Sequence, residues 1–160
     1  MAKKILFVCL GNICRSPAAE AICKQKIKDR DLENFFVVDS AGTGGWHVGN
    51  LADPRMRETA SSRGIDLTSR SRKIEENDLY EFDHILVMDK DNLHAVQSLV
   101  QNESHPATSK IKLILSYSKN SQLDEVPDPY YGGQHGFEKV LDLLDDAIDG
   151  LLDSLMDFLD

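Results

Sequence analysis

The residues best suited to chemistry lie in one short run, "FVCLGNICRSPAAEAI" from Phe7 to Ile22, in which five residues separate Cys9 from Arg15 and Ser16 follows directly. A loop that leaves the C-terminal end of a strand and enters a helix gathers backbone N–H groups and the positive helix end around one point, and that point attracts an oxyanion. Arg15 adds a planar guanidinium that can hold two oxygens of a phosphoryl group at once, where a lysine would offer a point charge. The groups that hold a phosphate also favour a thiolate over a thiol, so Cys9 reads as a nucleophile on the floor of an anion cradle. Ser16 can donate to that thiolate or help it leave. Alone, a cysteine at a strand end is more often a small buried hydrophobe; the spacing to Arg15 and Ser16 reverses that reading.

Such a loop needs a strand before it and a helix after it. Apolar, β-branched-rich runs at Ile5 to Val8, Phe35 to Val38, His84 to Met88 and Ile111 to Leu115 are each followed by turn residues and a segment that can be helical. The alternation predicts an α/β fold, a three-layer, doubly wound sandwich with about four parallel strands and helices on both faces; the strand order expected is 2-1-3-4. One domain, residues 1–160, is expected. The first helix should take Ser16 as N-cap, Pro17 in its first turn, and run to about Asp29. Others are expected over Pro54 to Arg63, stopped by Gly64, over Asp89 to about Val100, and as a short turn at Glu75 to Tyr80. The last helix is the clearest, with Phe137, Val140, Leu141, Leu144, Ile148, Leu151, Leu152, Leu155 and Leu159 on one stripe. Gly150 keeps that phase and reads as a weak spot in one continuous helix. Asn102 to Ser109 and Ser116 to Gln134 read as loops, the second too long for an ordinary connection, which marks it for function.

Composition excludes several function classes. At 160 residues with 41% hydrophobic and 28% charged residues, the chain has enough apolar material for a buried core. A formal charge of -9 argues against a general nucleic-acid binder, which would need a broad basic surface. The run after Lys4 is too short for a signal-peptide core or a membrane span, so neither membrane nor secretion is expected. Three cysteines fit a reducing, cytoplasmic setting. Cys9 and Cys14 lack C-x-x-C spacing, and no histidine pair has ligand spacing, so neither metal nor cofactor is expected.

The loop resembles that of the low-molecular-weight protein tyrosine phosphatases, C-x-G-N-x-C-R-S-P, through Cys9, Gly11, Asn12, Cys14, Arg15, Ser16 and Pro17. The likeness continues in "DSAGT" at Asp39 to Thr43, "WHVGNLADPRM" at Trp46 to Met56, "FDHILVMD" at Phe82 to Asp89 and "DPYYGG" at Asp128 to Gly133. The resemblance implies hydrolysis of phosphotyrosine in proteins, or of small aryl phosphates, through a cysteinyl phosphate. Cys9 would attack phosphorus, Arg15 would hold the equatorial oxygens, and Asp128 would be general acid and then base. Pro127 and Pro129 stiffen the backbone around Asp128, although a Pro-Asp-Pro run by itself is an ordinary turn. The remaining loop residues Leu10, Gly11, Asn12, Ile13, Cys14 and Ser16, with Ser40, would bind phosphate or hold the loop, Asn12 tolerating a left-handed backbone.

By residue type alone, Cys14 is equally well a structural side chain. The resemblance implies a reversible disulfide with Cys9 that guards it from over-oxidation. Cys23 reads as core. Trp46, Tyr130 and Tyr131 would otherwise be half-buried aromatics; family position makes them, with Asp53, the walls and rim of the substrate cleft. Many relatives carry a histidine where this chain has Arg70 or its neighbours. Between Asp53 and Lys73 six basic residues face three acidic ones, a locally positive region that reads first as a solvated face. A deep crevice suits an aryl ester because the ring reaches the floor and a phenol, with a pKa of about 10, leaves readily. Phosphate-like oxyanions should inhibit, and a monomer or weak homodimer is expected. An arsenate-reductase-like oxidoreductase is the main rival, disfavoured because no cysteine follows Cys23 to relay oxidation. A phosphocarrier or a binding-only protein is disfavoured by Arg15 together with Asp128.

Overall fold

Four short strands, each nearly continuous in apolar residues, pair in parallel in a computed structural model that describes residues 2–100, 106–129, 133–157 and 159. They are β1 (Lys3–Cys9), β2 (Phe36–Gly42), β3 (His84–Val87) and β4 (Ile111–Leu113), in the order β2-β1-β3-β4. Strands buried on both faces cannot alternate polar and apolar residues, and Ile5, Leu6, Phe7 and Val8 of β1 are accordingly all inaccessible to solvent. The expected order 2-1-3-4 and the three layers are present. Phe7 pairs in register with Ser40 on one side and Leu86 on the other, and Cys9 is opposite Gly42 at the end of the ladder.

One core lies under α1 (Arg15–Asp29), α2 (Pro54–Ser61) and α5 (Gln134–Met156), around Ile5, Phe7, Ile22, Met56 and Leu144. The other lies under the short α3 (Asp78–Glu81) and α4 (Lys90–Gln97), around Leu6, Val8, Leu79, Ile85 and Val96. β1 feeds both cores, with Ile5 and Phe7 in the first and Leu6 and Val8 in the second. β1 is also where the strand order reverses, the position at which an open parallel sheet leaves a crevice beyond its strand ends.

Several boundaries differ from the sequence reading. The N-cap of α1 is Cys14, not Ser16; Cys14 contributes no side-chain cap, and the Ala18 N–H reaches the Cys14 carbonyl at 3.2 Å. Ser16 is drawn into the first turn because its hydroxyl is engaged by Cys9 and Asn12. The expected fourth strand stops at Leu113, and Ile114–Tyr117 turns into a 3-10 helix that drives Ile114 and Leu115 into the core. The segment Pro106–Lys110 is another 3-10 turn. α2 and α4 end sooner than expected, at Ser61 and Gln97, each followed by a turn.

Gly150 lies within α5, which is continuous as expected, but it is a contact and not a weak spot. A Cβ at that position would lie 1.9 Å from the Tyr117 carbonyl oxygen, so only glycine lets the 3-10 turn rest on the helix.

Candidate active site

The loop Leu10 to Cys14 closes over the end of β1 because β2 lets it approach. A Cβ on Gly42 would meet the Leu10 carbonyl oxygen at 2.9 Å and the Asn12 nitrogen at 3.1 Å, so the missing side chain sets how tightly the loop can curl. The loop is then pinned from outside. Gly44 N–H donates to the Leu10 carbonyl, Ser71 Oγ to that of Gly11, and Asp53 N–H to that of Ile13, at 2.9, 2.9 and 2.8 Å. With its carbonyls turned outward in this way, the loop keeps amide hydrogens for its interior.

Asn12 holds the inside. Its backbone is left-handed at φ 56°, a conformation asparagine tolerates better than most residues. Its N–H points at Cys9 Sγ, 3.3 Å away. Its Oδ1 accepts the Arg72 N–H at 3.0 Å, and this fixes the orientation of the amide. Nδ2 is therefore turned toward Ser16 Oγ at 2.7 Å and Ser40 Oγ at 3.0 Å. Ser40 can accept from Asn12 because its own proton goes to Glu20 Oε1 at 2.5 Å. Ser16 Oγ lies 3.0 Å from Cys9 Sγ and 3.4 Å from the Ala41 carbonyl, to which it can donate. A buried hydrogen-bond network thus links Glu20, Ser40, Asn12, Ser16 and Cys9.

Arg15 is 2% exposed, and its guanidinium is held on both sides. Nη1 donates to Asp89 Oδ2 at 2.7 Å and to the Val126 carbonyl at 2.9 Å, while Nη2 lies 3.6 Å from Asp128 Oδ2. Burial works against the arginine charge, but Cys9, Asp89 and Asp128 outweigh it and raise its pKa above the ordinary value. The cation is therefore permanent, and its fork is aimed before any ligand arrives. Asp89 stands at the N-cap of α4, directly beyond β3, and accepts the Asn92 N–H with its other oxygen.

Cys9, Leu10, Ile13, Cys14, Arg15 and Asp128 line a cavity of about 320 Å3, together with Gly11, Trp46 and His47. Trp46, 72% exposed, stands at its mouth, and its indole occupies the space that a Gly44 side chain would need, with Cζ3 2.0 Å from that Cβ position. The two loop cysteines differ electrostatically. Burial, followed by the charges of Asp53, Cys9 and Asp128, pushes the Cys14 thiol well above its ordinary range, so it is neutral. Burial raises the Cys23 thiol to about 12, and that residue packs wholly inside the core.

Not every expected residue meets at the cavity. Asp53 caps α2, accepting the Arg55 N–H at 2.8 Å and pairing with the Arg55 guanidinium, and it is not among the lining residues. Tyr130 and Tyr131 lie outside the described residues. Arg70 donates to the Gly49 carbonyl on the exposed side; its neighbours Ser71 and Arg72 are the ones that reach the loop. Sequence reasoning did not single out Asp89, Glu20, Ser71, Arg72 or His47 for the site. Asp89 had a usable signal: an acid immediately after a buried strand stands at the ligand edge of a parallel sheet.

The sequence model described as low molecular weight phosphotyrosine protein phosphatase matches residues 4–158. The chain belongs to the low molecular weight phosphotyrosine protein phosphatase family. It is 42% identical over 152 residues to a low molecular weight protein-tyrosine-phosphatase of Bacillus subtilis, covering 94% of this chain and 94% of that one. The crystal structure of a protein tyrosine phosphatase from Entamoeba histolytica superposes with a TM-score of 0.93 at 42% identity, covering 98% of each chain. A Drosophila arginine phosphatase superposes with a TM-score of 0.87 at 34% identity, over 95% of this chain and 97% of that one. Members of this phosphatase family are phosphoric monoester hydrolases, and the oxidoreductase rival is not favoured by these likenesses. Among the described residues, no helix is long and apolar enough to cross a membrane, and no group of three metal-ligating side chains occurs.

Proposed function

We propose that this phosphatase hydrolyses phosphotyrosine in proteins, and small aryl phosphates, by two displacements at phosphorus. The observation that carries the reading is the convergence of Cys9 and Arg15, from one loop, with Asp128, from a distant segment of the chain, on one cavity of about 320 Å3. In the first step the Cys9 thiolate attacks phosphorus, the ester P–O bond breaks, and Asp128 delivers a proton to the departing phenol oxygen. Arg15 and the loop amides hold the three equatorial oxygens throughout, where charge is spread in the transition state. In the second step Asp128, now a carboxylate, takes a proton from water that attacks the cysteinyl phosphate, and the Cys9 thiolate leaves, stabilised by Ser16 and the Asn12 amide. Trp46 walls the cleft mouth and stacks on the aryl ring. Phosphate-like oxyanions compete for the same cradle.

The ratio kcat/KM reports the first step, so graded leaving groups test the assignment. Cys9→Ser should abolish turnover of p-nitrophenyl phosphate and of a phosphotyrosyl peptide; surviving activity would sink the mechanism. Asp128→Ala should lower kcat/KM for phenyl phosphate by about 10²- to 10⁴-fold but far less for p-nitrophenyl phosphate, and equal losses would remove its acid role. A phosphoarginyl peptide belongs in the same assay, because this fold also serves an arginine phosphatase in Drosophila.

Cys14 serves in this reading as a redox guard. Peroxide oxidises Cys9 to a sulfenic acid, and the Cys14 thiol condenses with it, forming the S–S bond and releasing water. Mild peroxide should give a disulfide that dithiothreitol reverses and that Cys14→Ser lacks; its persistence in that variant, or its loss in Cys23→Ser, would assign the bond to the wrong cysteine.

A further inference from the structure

The segment that carries Asp128 has neither helix nor strand from Ser118 to Pro129, yet it is tied down at both ends. At its root, Asp146 of α5 accepts from Ser118 Oγ at 2.6 Å, from the N–H groups of Lys119 and Asn120 at 3.1 Å each, and from Asn120 Nδ2 at 2.7 Å. Near its tip, the buried Val126 donates its N–H to the Met88 carbonyl at 2.8 Å and accepts from Arg15 Nη1 at 2.9 Å. Immediately before it, Glu125 Oε2 accepts the Lys90 N–H at 2.8 Å. Lys90 opens α4 and follows Asp89, the other partner of Arg15 Nη1.

These contacts close a ring that returns to its start: Arg15 to Asp89, along the chain to Lys90, across to Glu125, along to Val126, and back to Arg15. We propose that Glu125 is a positioning residue for leaving-group protonation: by holding the first N–H of α4 it fixes Val126 to Asp128 against Arg15, and so places Asp128 over the cleft. The bond is suited to the task. A carboxylate at a helix N-terminus is favoured by the helix dipole, the donor is rigid backbone, and the acceptor is separated from Val126 by a single peptide unit. Asp124, its neighbour, pairs instead with the flexible Lys90 ammonium at 3.1 Å on the exposed surface, a contact that constrains little. This inference rests on the proposed acid role of Asp128.

The test measures kcat/KM for aryl phosphates of graded leaving-group pKa, with the inhibition constant of inorganic phosphate, for wild type, Glu125→Ala, Glu125→Gln, Asp124→Asn and Asp128→Ala. Glu125→Ala should lose about tenfold on phenyl phosphate, the scale of one charge-assisted hydrogen bond, and under about twofold on 2,4-dinitrophenyl phosphate, with phosphate inhibition unchanged. Glu125→Gln should keep most of the activity, because the amide oxygen still accepts. Asp124→Asn should match wild type. Equal losses across leaving groups in Glu125→Ala, or a glutamine variant as impaired as the alanine one, would overturn the proposal. If Asp128→Ala shows a steep leaving-group dependence and Glu125→Ala none, the Glu125 role alone fails; if Asp128→Ala shows none either, the acid reading fails and takes this one with it.

Discussion

Replacing Asn12 with alanine removes three side-chain hydrogen bonds at once, to Ser16, Ser40 and the Arg72 N–H, and leaves alanine at φ 56°. The left-handed backbone costs about 1–2 kcal/mol for alanine, and the stranded buried partners add about 1–3 kcal/mol, so Asn12→Ala should lower the urea midpoint clearly. Asn12→Gly keeps the backbone but not the bonds. Both variants should lose turnover to a similar degree, since Ser16 and Ser40 lose the donor that orients them; near-normal kcat in Asn12→Gly would mean that the side-chain network is dispensable. At this scale the sequence was most legible where the chemistry is local. Cys9, Arg15 and Ser16 share one loop, and their spacing carries their geometry. Asp89, Ser71 and Arg72 meet that loop only through the fold, across 60 residues or more, so no local spacing could announce them. Glu20 is closer, on α1, but an acid four residues before Lys24 reads as an ordinary helix ion pair and gave no sign that Ser40 would be opposite.

The helices and strands were legible through hydrophobic period, while their ends were decided by contacts. The sequence placed the N-cap of α1 at Ser16 because serine is a strong capping residue. Tertiary demand moved it, since the same hydroxyl serves Cys9 better. Gly150 shows the same limit. By helix propensity alone Gly150→Ala should stabilise α5 by about 1 kcal/mol. The Tyr117 carbonyl stands where the new methyl would go, so we expect a net loss of about 1–3 kcal/mol, read as a lower thermal midpoint; a gain would show that the 3-10 turn yields without cost.

Over the whole molecule, a chain of formal charge -9 builds a site for anions by enclosing Arg15 beside Asp89 and Asp128, while the acids of α5 are engaged away from it. Most of those on α5 are matched: Lys26 bridges Asp145 and Asp149, Arg30 bridges Asp149 and Asp153, Arg63 bridges Glu138 and Asp142, and Lys119 pairs with Asp153. The Ser118 hydroxyl, then Asn120 and Lys119, lower the Asp146 carboxyl below its ordinary value, and Lys119 and then Arg30 do so for Asp153. A carboxylate whose pKa is lower when folded stabilises fully above its unfolded pKa, about 3.9, and loses that contribution as pH falls through its folded value. The urea midpoint should therefore fall as pH drops below about 4, and Asp146→Asn should flatten that acid limb; an identical slope would show that its bonds hold nothing.

Asp146 and Gly150 lie one helical turn apart on α5, the first holding the root of the Asp128 segment and the second admitting the turn before it. Because both contacts that hold its root belong to the helix, the segment is not a portable module. A one-residue insertion between 146 and 150 would rotate the two contacts apart by about 100°, and a loop graft between relatives would need to carry both helix positions with it.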